Sequence, residues 1–389
     1  MKTISTILLV AVSYFGYAQH MRHPGGLNYT VSTFLNSPDA DVDDALAFDS
    51  EGNLYGSNFA GNSVYKITPS GEVSTFVTGL SNPNGLAFDS RDNLYVAEYS
   101  GSAIHKYDID GNLLQTYPID GFPSGMISAY HSDNVIFTTA DFNDEANNMI
   151  AELSPDGNIN VLHQGAPINL GVGLAYGPGG TLYIGDYLDR EIYRLTRNGD
   201  LEYVATVPAP DNFVPYLAFI AYAQGYLYGT VYGENKIYRI NPRKVDDVEI
   251  FAGSTYGDTD GPLSEATFGF PAGIIANRSG NTLYVSEFSG VGNIRKIKRG
   301  GGRPCYTRIK LNAYPNPASG QLNIRVESSD ADVQLIVYDK MGQKVYEETY
   351  ETSDNLLISN IDLTGWDSGL YELKVTSGDN QTSRRIVVR

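Results

Sequence analysis

Sulfur, basic charge and long apolar runs are scarce in this sequence, and each shortage closes off a class of explanation. There is one cysteine, Cys305. No intramolecular disulfide can form and no zinc site built on two cysteines is available, so packing must hold the fold together. Lys and Arg number 27 against 45 Asp and Glu, a net charge of −18. Such a surface repels phosphate backbones and anionic lipid, which argues against a nucleic-acid partner and against electrostatic docking on a membrane. It is compatible with cation binding. Past the N-terminus no stretch approaches the roughly 20 apolar residues that a membrane span needs, so none is expected in the mature chain. A Gly-x-Ser-x-Gly elbow, a phosphate loop and a His-Glu-x-x-His motif are all missing.

Tyrosine (29 residues) and glycine (41 residues) are abundant. Tyr suits half-buried pleated sheet and Gly suits tight turns, so the composition points to an all-β protein. The N-terminus reads as a secretory signal over residues 1–18: Lys2, then the apolar run Ile7 to Val12, then Gly16-Tyr17-Ala18 before a cut at Gln19.

The main signal is an internal repeat. Leu46-Ala47-Phe48-Asp49-Ser50-Glu51-Gly52-Asn53-Leu54-Tyr55 returns almost unchanged as Leu86-Ala87-Phe88-Asp89-Ser90-Arg91-Asp92-Asn93-Leu94-Tyr95. Weaker copies start at Met126, Leu174, Leu217 (as Leu217-Ala218-Phe219) and Gly273. Each runs on into an alternating third strand, such as Val64-Tyr65-Lys66-Ile67 or Ile237-Tyr238-Arg239-Ile240, and most into a fourth. Four short strands per unit is the size of a propeller blade, and six units predict a six-bladed β-propeller over residues 19–302. The sixth unit lacks a fourth strand. Tyr29 to Leu35 is available to supply it and clasp the ring. Composition shifts after Gly300-Gly301-Gly302. Residues 303–310 read as a linker, and the short strands of 311–389 as a small Ig-like β-sandwich.

The units resemble NHL repeats, the sixth most fully: Phe251-Ala252-Gly253, Asp260-Gly261-Pro262, Ala266-Thr267-Phe268, Pro271-Ala272-Gly273-Ile274, Leu283-Tyr284-Val285 and Ile294-Arg295-Lys296-Ile297. Asn82-Pro83-Asn84-Gly85-Leu86 resembles the gluconolactonase/regucalcin group equally well. The C-terminal segment resembles the sorting domain of the type IX secretion system of Bacteroidota, through Tyr314-Pro315-Asn316-Pro317, Gly342-Gln343-Lys344-Val345, Ser368-Gly369-Leu370-Tyr371 and the basic end Arg384 to Arg389. That resemblance implies the secretion machinery as a partner of residues 311–389, and a secreted or outer-membrane-surface location.

Residues just before each innermost strand should ring one mouth of the central channel: Asp43, Asp44, Asn84, Ser124, Asn169 and Tyr216, with Ala272 in the sixth unit. The leading expectation is a binding module for a glycan, peptide or protein at that mouth. The gluconolactonase resemblance implies instead a metal-dependent lactonase or esterase. Asn84 would match that group's metal-binding Asn, and Asp44 would stand in for its Glu, holding Ca²⁺ or another divalent cation. The Pro-Asp-Gly motif that supplies the group's Asp is absent, since the comparable places read Pro123-Ser124-Gly125 and Pro271-Ala272-Gly273. A streptogramin-lyase-like site would need a channel histidine, and His105, His131 and His163 fall on outer patterns.

Two recurrent features read as structural. Asn58, Glu98, Asp186 and Glu287, with Asp141 nearby, are expected to cap backbone N–H groups of their own loops. The aromatic that follows each (Phe59, Tyr99, Phe142, Tyr187, Tyr232, Phe288) is expected to pack between blades. The long insert from Ser254 to Phe268 is expected to wall one side of the mouth.

Overall fold

The computed structural model describes residues 29–208, 216–289, 292–300, 309–327, 332–351, 356–377 and 380–389. The signal segment 1–18, Cys305 and most of the linker 303–310 lie outside them. The chain divides into two compact units. The first holds residues 33–259 and 264–295 of the described chain; the second holds 296–389 together with the short segments 26–32 and 260–263.

The repeats fold into six successive antiparallel sheets. The first runs Leu46–Phe48, Leu54–Ser57, Ser63–Ile67, Val73–Thr78. The second starts with Pro83–Phe88, the third with Pro123–Ser128 and the fourth with Gly171–Tyr176. Leu217–Ala223 opens the fifth and Pro271–Ala276 the sixth. Tyr29–Asn36 lies beside Asn293–Arg299 in the sixth sheet, where the repeat lacks its own fourth strand.

The repeated string has a local physical cause. Asp49 accepts hydrogen bonds from the N–H of Asn53 at 2.8 Å and from its Nδ2 at 2.7 Å, which closes the turn between the first two strands. Asp89 and Asn93 repeat this at 3.0 and 2.8 Å. Lys106 then reaches back to Asp89 at 2.9 Å and lies over the Tyr95 ring. Tyr55 and Tyr95 are themselves buried.

The apolar core lies between sheets. Tyr95, Ile104 and Tyr117 of the second sheet cluster with Met126, Val135 and Phe137 of the third. Ile192 and Val204 of the fourth cluster with Leu217, Ile220 and Leu227 of the fifth. The last sheet meets the first in the same way, with Ile294 packed among Leu46, Leu54 and Ile67. Burying each such side chain stabilises the fold by about 1.5–3 kcal/mol. Rings bridge the same seams: Tyr55 meets Phe88 edge-on at 4.9 Å, and Tyr284 of the sixth sheet meets Phe48 of the first at 5.5 Å.

The inner strands approach so closely that glycine is required between them. A Cβ on Gly85 would lie 2.2 Å from the Ser124 carbonyl oxygen, one on Gly125 1.8 Å from that of Val172, and one on Gly273 2.1 Å from that of Asp44. The Ser286 hydroxyl donates to the same Asp44 carbonyl at 2.6 Å. These are contacts from the second sheet to the third, the third to the fourth, and the sixth back to the first.

In the second unit seven strands, Lys310–Ser319, Gln321–Glu327, Asp332–Tyr338, Lys344–Glu351, Leu356–Asp362, Gly369–Ser377 and Asn380–Val388, join one another in a β-only arrangement. Alternate residues such as Leu322, Ile324, Val326, Leu335, Val337, Leu373 and Val375 form its core.

Candidate ligand-binding site

The site is built by a bulge repeated in the inner strands. Residue pairing slips between Pro83 and Leu86, Pro123 and Met126, Gly171 and Gly173, Leu217 and Ile220, and Pro271 and Ile274. In the first sheet the N–H groups of Asp43 and Asp44 share the Ser57 carbonyl at 3.1 and 3.2 Å, which has the same effect. A bulge re-aims a side chain. Here it turns Asp44, Asn84, Ser124, Val172, Ala218 and Ala272, one from each sheet, onto the floor of one cavity of about 320 Å³.

The floor is two-sided. Asp44, Asn84 and Ser124 make a polar arc from the first three sheets, and Val172, Ala218 and Ala272 an apolar arc from the other three. Asn84 donates through Nδ2 to the Ser124 hydroxyl at 3.3 Å, and its buried Oδ1 has no partner among the described residues. Burial, and then the charge of neighbouring Asp43, hold the Asp44 carboxyl well above the usual carboxylate range. Above the floor stand Phe59, Tyr99, Phe142, Tyr187, Tyr232 and Phe288, again one per sheet. These aromatics are therefore the rim of the cavity, not only packing between sheets. They do touch neighbours: Phe59 meets Tyr99 edge-on at 5.7 Å, and Tyr187 stacks on Tyr216 at 4.5 Å.

Three of the residues expected at the mouth are brought together there: Asp44, Asn84 and Ser124. Three are not. Asp43 is turned away and accepts the N–H groups of Phe59 and Ala60, at 2.6 and 3.0 Å. Asn169 lies upstream of the bulge, where its N–H donates to Asp186 at 2.6 Å; Val172 takes its place on the floor. Tyr216 backs the rim by stacking on Tyr187, and Ala218 takes its place. The glycine before each Leu-Ala, Met-Ile or Ile-Ile pair (Gly85, Gly125, Gly173, Gly273) marks the register that finds these residues.

The fifth sheet also corrects the repeat itself. Ala221 pairs with Tyr228, as Ala47 pairs with Tyr55 and Ala87 with Tyr95. The matching string is thus Ile220-Ala221-Tyr222 and not Leu217-Ala218-Phe219. Phe219 stands where four other sheets carry glycine and the first carries Ala45. A second cavity, of about 400 Å³, lies at the other end of the inner strands, and Phe219 is the one lining residue common to both.

Of the residues expected to cap loops after the second strands, Glu98, Asp141, Asp186 and Glu287 accept backbone N–H groups, whereas the buried Oδ1 of Asn58 has no partner among the described residues and Asp43 caps that loop instead. Asp186 accepts the N–H groups of Asn169, Leu170, Leu188 and Asp189, and Glu287 that of Gly269. The insert 254–268 does not line the cavity. Buried Arg295 holds it instead, donating to the carbonyls of Thr267 at 2.8 Å and Thr259 at 3.1 Å.

Neither acid–base relay nor metal shell is complete at the floor. A hard cation such as Ca²⁺ takes about six to eight oxygens. The floor offers one carboxylate, one amide and one hydroxyl, and Ser124 and Ala272 fill the places where the gluconolactonase motif would put its Asp. Among the described residues no group of three or more His, Cys, Asp or Glu is placed to hold a metal. Among the described residues no histidine lines the cavity; His105 pairs with Glu98 at 2.8 Å in the second sheet.

A multi-sheet fold of this kind, with a small cavity at the head of its inner strands, defines a propeller-like class. Solved structures similar to the chain include an auxiliary nutrient binding protein from Bacteroides thetaiotaomicron (15% identity, 70% of this chain and 76% of that one, TM-score 0.57). A gluconolactonase from Xanthomonas campestris is similar too (16% identity, 69% and 89%, TM-score 0.53), as is a streptogramin B lyase (17% identity, 70% and 98%, TM-score 0.50). At these identities the likeness is one of fold. No curated protein matches the chain. Residues 312–389 match the family model described as a secretion system C-terminal sorting domain. The chain therefore carries a sorting domain that directs it to the cell surface or into the medium. Among the described residues no helix is long and apolar enough to cross a membrane.

Proposed function

We propose that the chain is an exported binding protein: a signal segment (1–18), a six-bladed β-propeller (19–302), a linker (303–310) and an Ig-like sandwich (311–389) read by the type IX secretion machinery. Its propeller captures a small ligand, or the end of a larger one, at the cavity above Asp44, Asn84 and Ser124. The observation that carries this reading is the collar of six aromatic side chains, one from each sheet, around a floor that is polar on one side only. Aromatic faces give contact area without a directional demand, and a few polar groups fix orientation.

Direct binding measurements on the purified protein test it, using saccharides, short peptides and lactones. A ligand that saturates one site should be lost when Tyr187→Ala and Tyr232→Ala strip two of the rim rings. Undiminished binding in that double variant would move the site elsewhere. The second reading, a metal-dependent lactone or ester hydrolase, draws on the Asp44 and Asn84 pair. It predicts a stoichiometric divalent ion in the protein by elemental analysis, and lactone turnover that falls in Asn84→Ala.

A further inference from the structure

We infer that the mouth cavity takes a compact organic cation, a quaternary ammonium or a protonated amine, held between the aromatic collar and the Asp44 carboxylate. The inference rests on the binding reading above and names its ligand class. Three observations lead to it. Every sheet contributes an aromatic ring to the cavity lining, and a cation that meets the faces of such rings is attracted without hydrogen bonds. Among the described residues Asp44 is the single charged side chain lining the cavity, and no lysine, arginine or histidine lines it. Beside Asp44 the floor carries an acceptor left over, the buried Asn84 Oδ1 with no partner among the described residues.

The balance of charge fits the same ligand class. A carboxyl shut in this cavity and set beside Asp43 holds its proton well above the usual carboxylate range. An incoming cation supplies the missing counter-charge. The carboxyl then gives its proton to the solvent, and carboxylate and cation enter as a neutral pair. A neutral sugar can hydrogen-bond that carboxylate but brings no counter-charge to it, and an anion is repelled by it. Other titratable groups about Asp44 are Asp43, which caps the loop at Phe59, and the rim hydroxyls of Tyr187 and Tyr232. None of them offers positive charge.

Calorimetric titration of the full mature chain with choline and with dimethylbutanol, its uncharged isostere, tests this. Choline is expected to bind one to one, at least about tenfold more tightly than the isostere, a difference of about 1.4 kcal/mol. Its affinity should rise with pH, and its heat should change with the buffer because a proton is released. Asp44→Asn, which keeps the shape of the protonated side chain, should bring choline down to the level of the isostere and remove the pH dependence. Tyr232→Leu should weaken choline and spare the melting temperature. Equal affinity for both probes, or a preference for choline that survives Asp44→Asn, would overturn the inference. A neutral saccharide bound in a rim-dependent way, with no choline binding, would sink the cation while leaving the mouth as the binding site. Absence of any rim-dependent ligand would remove both readings.

Discussion

Gly273 shows how little room the inner strands leave. A side chain there would press on the Asp44 carbonyl and on Ser286 Oγ, and neither can retreat without opening the seam between the last and first sheets. Gly273→Ala should therefore lower stability by about 1–3 kcal/mol, measured by denaturant titration. Gly52, whose surroundings are open, is a fair contrast for crowding, although its φ of +87° adds a backbone cost. Titration matters at this scale as well. Burial first, and Asp41 besides, push the Asp43 carboxyl up to about 7 against the pull of two backbone donors. Burial likewise pushes Glu287 up to about 7. Both groups bind protons more tightly folded than unfolded. Their contribution is full below about pH 4 and drains away as pH climbs through about 7. Asp43→Asn should flatten that part of the stability curve. A curve unchanged between pH 4 and 7 would contradict the assignment. In the sequence the acidic pair Asp43-Asp44 was visible as a site candidate. Which of the two faces the ligand was not, because that depends on a bulge one residue long.

At the scale of strands and turns, the repeat was legible wherever side chains did the same job in each copy. Asp49 and Asn53 close their turn as Asp89 and Asn93 do, so the string reads twice. Legibility failed in the fifth sheet, where Phe219 replaces the marker glycine and Leu217-Ala218-Phe219 imitates the true string three residues early. It failed also for Asn169 and Tyr216, since the loops leading to those strands differ in length and nothing local counts off the offset. The rim aromatics were noticed for their recurrence and assigned to packing. Recurrence alone does not tell a ring buried in a seam from one facing a cavity. The N-terminal strand was correctly legible as a missing partner, because the sixth repeat lacked a fourth strand. Tyr29–Asn36 lies beside Asn293–Arg299, and its Phe34 meets Tyr284 edge-on at 5.1 Å. Removing residues 19–36 should lower the melting temperature markedly in a thermal scan. An unchanged melt would show that the sixth sheet stands without this strand.

At the scale of the whole molecule, the first unit draws its stability from apolar seams shared by neighbouring sheets, while the second unit carries a core of its own. A chain with one cysteine and no described metal cluster relies on such shared burial. An all-β, propeller-like fold was readable from period and strand count; the ligand was not, because propeller-like folds serve many tasks and the deciding residues are the ones that break the repeat. Export belongs at this scale too. Deleting residues 311–389 should leave the remainder inside the periplasm, as followed by cell fractionation, while the truncated chain keeps a melting transition of its own. Normal release of the truncated chain would count against a sorting role.

Phe219 has a consequence for traffic. It borders both cavities at a position where its counterparts are glycine or alanine. On the binding reading proposed above, cutting Phe219 back to alanine is expected to change the rate at which a bound ligand leaves, and an unchanged rate would show that this ring does not bar the way.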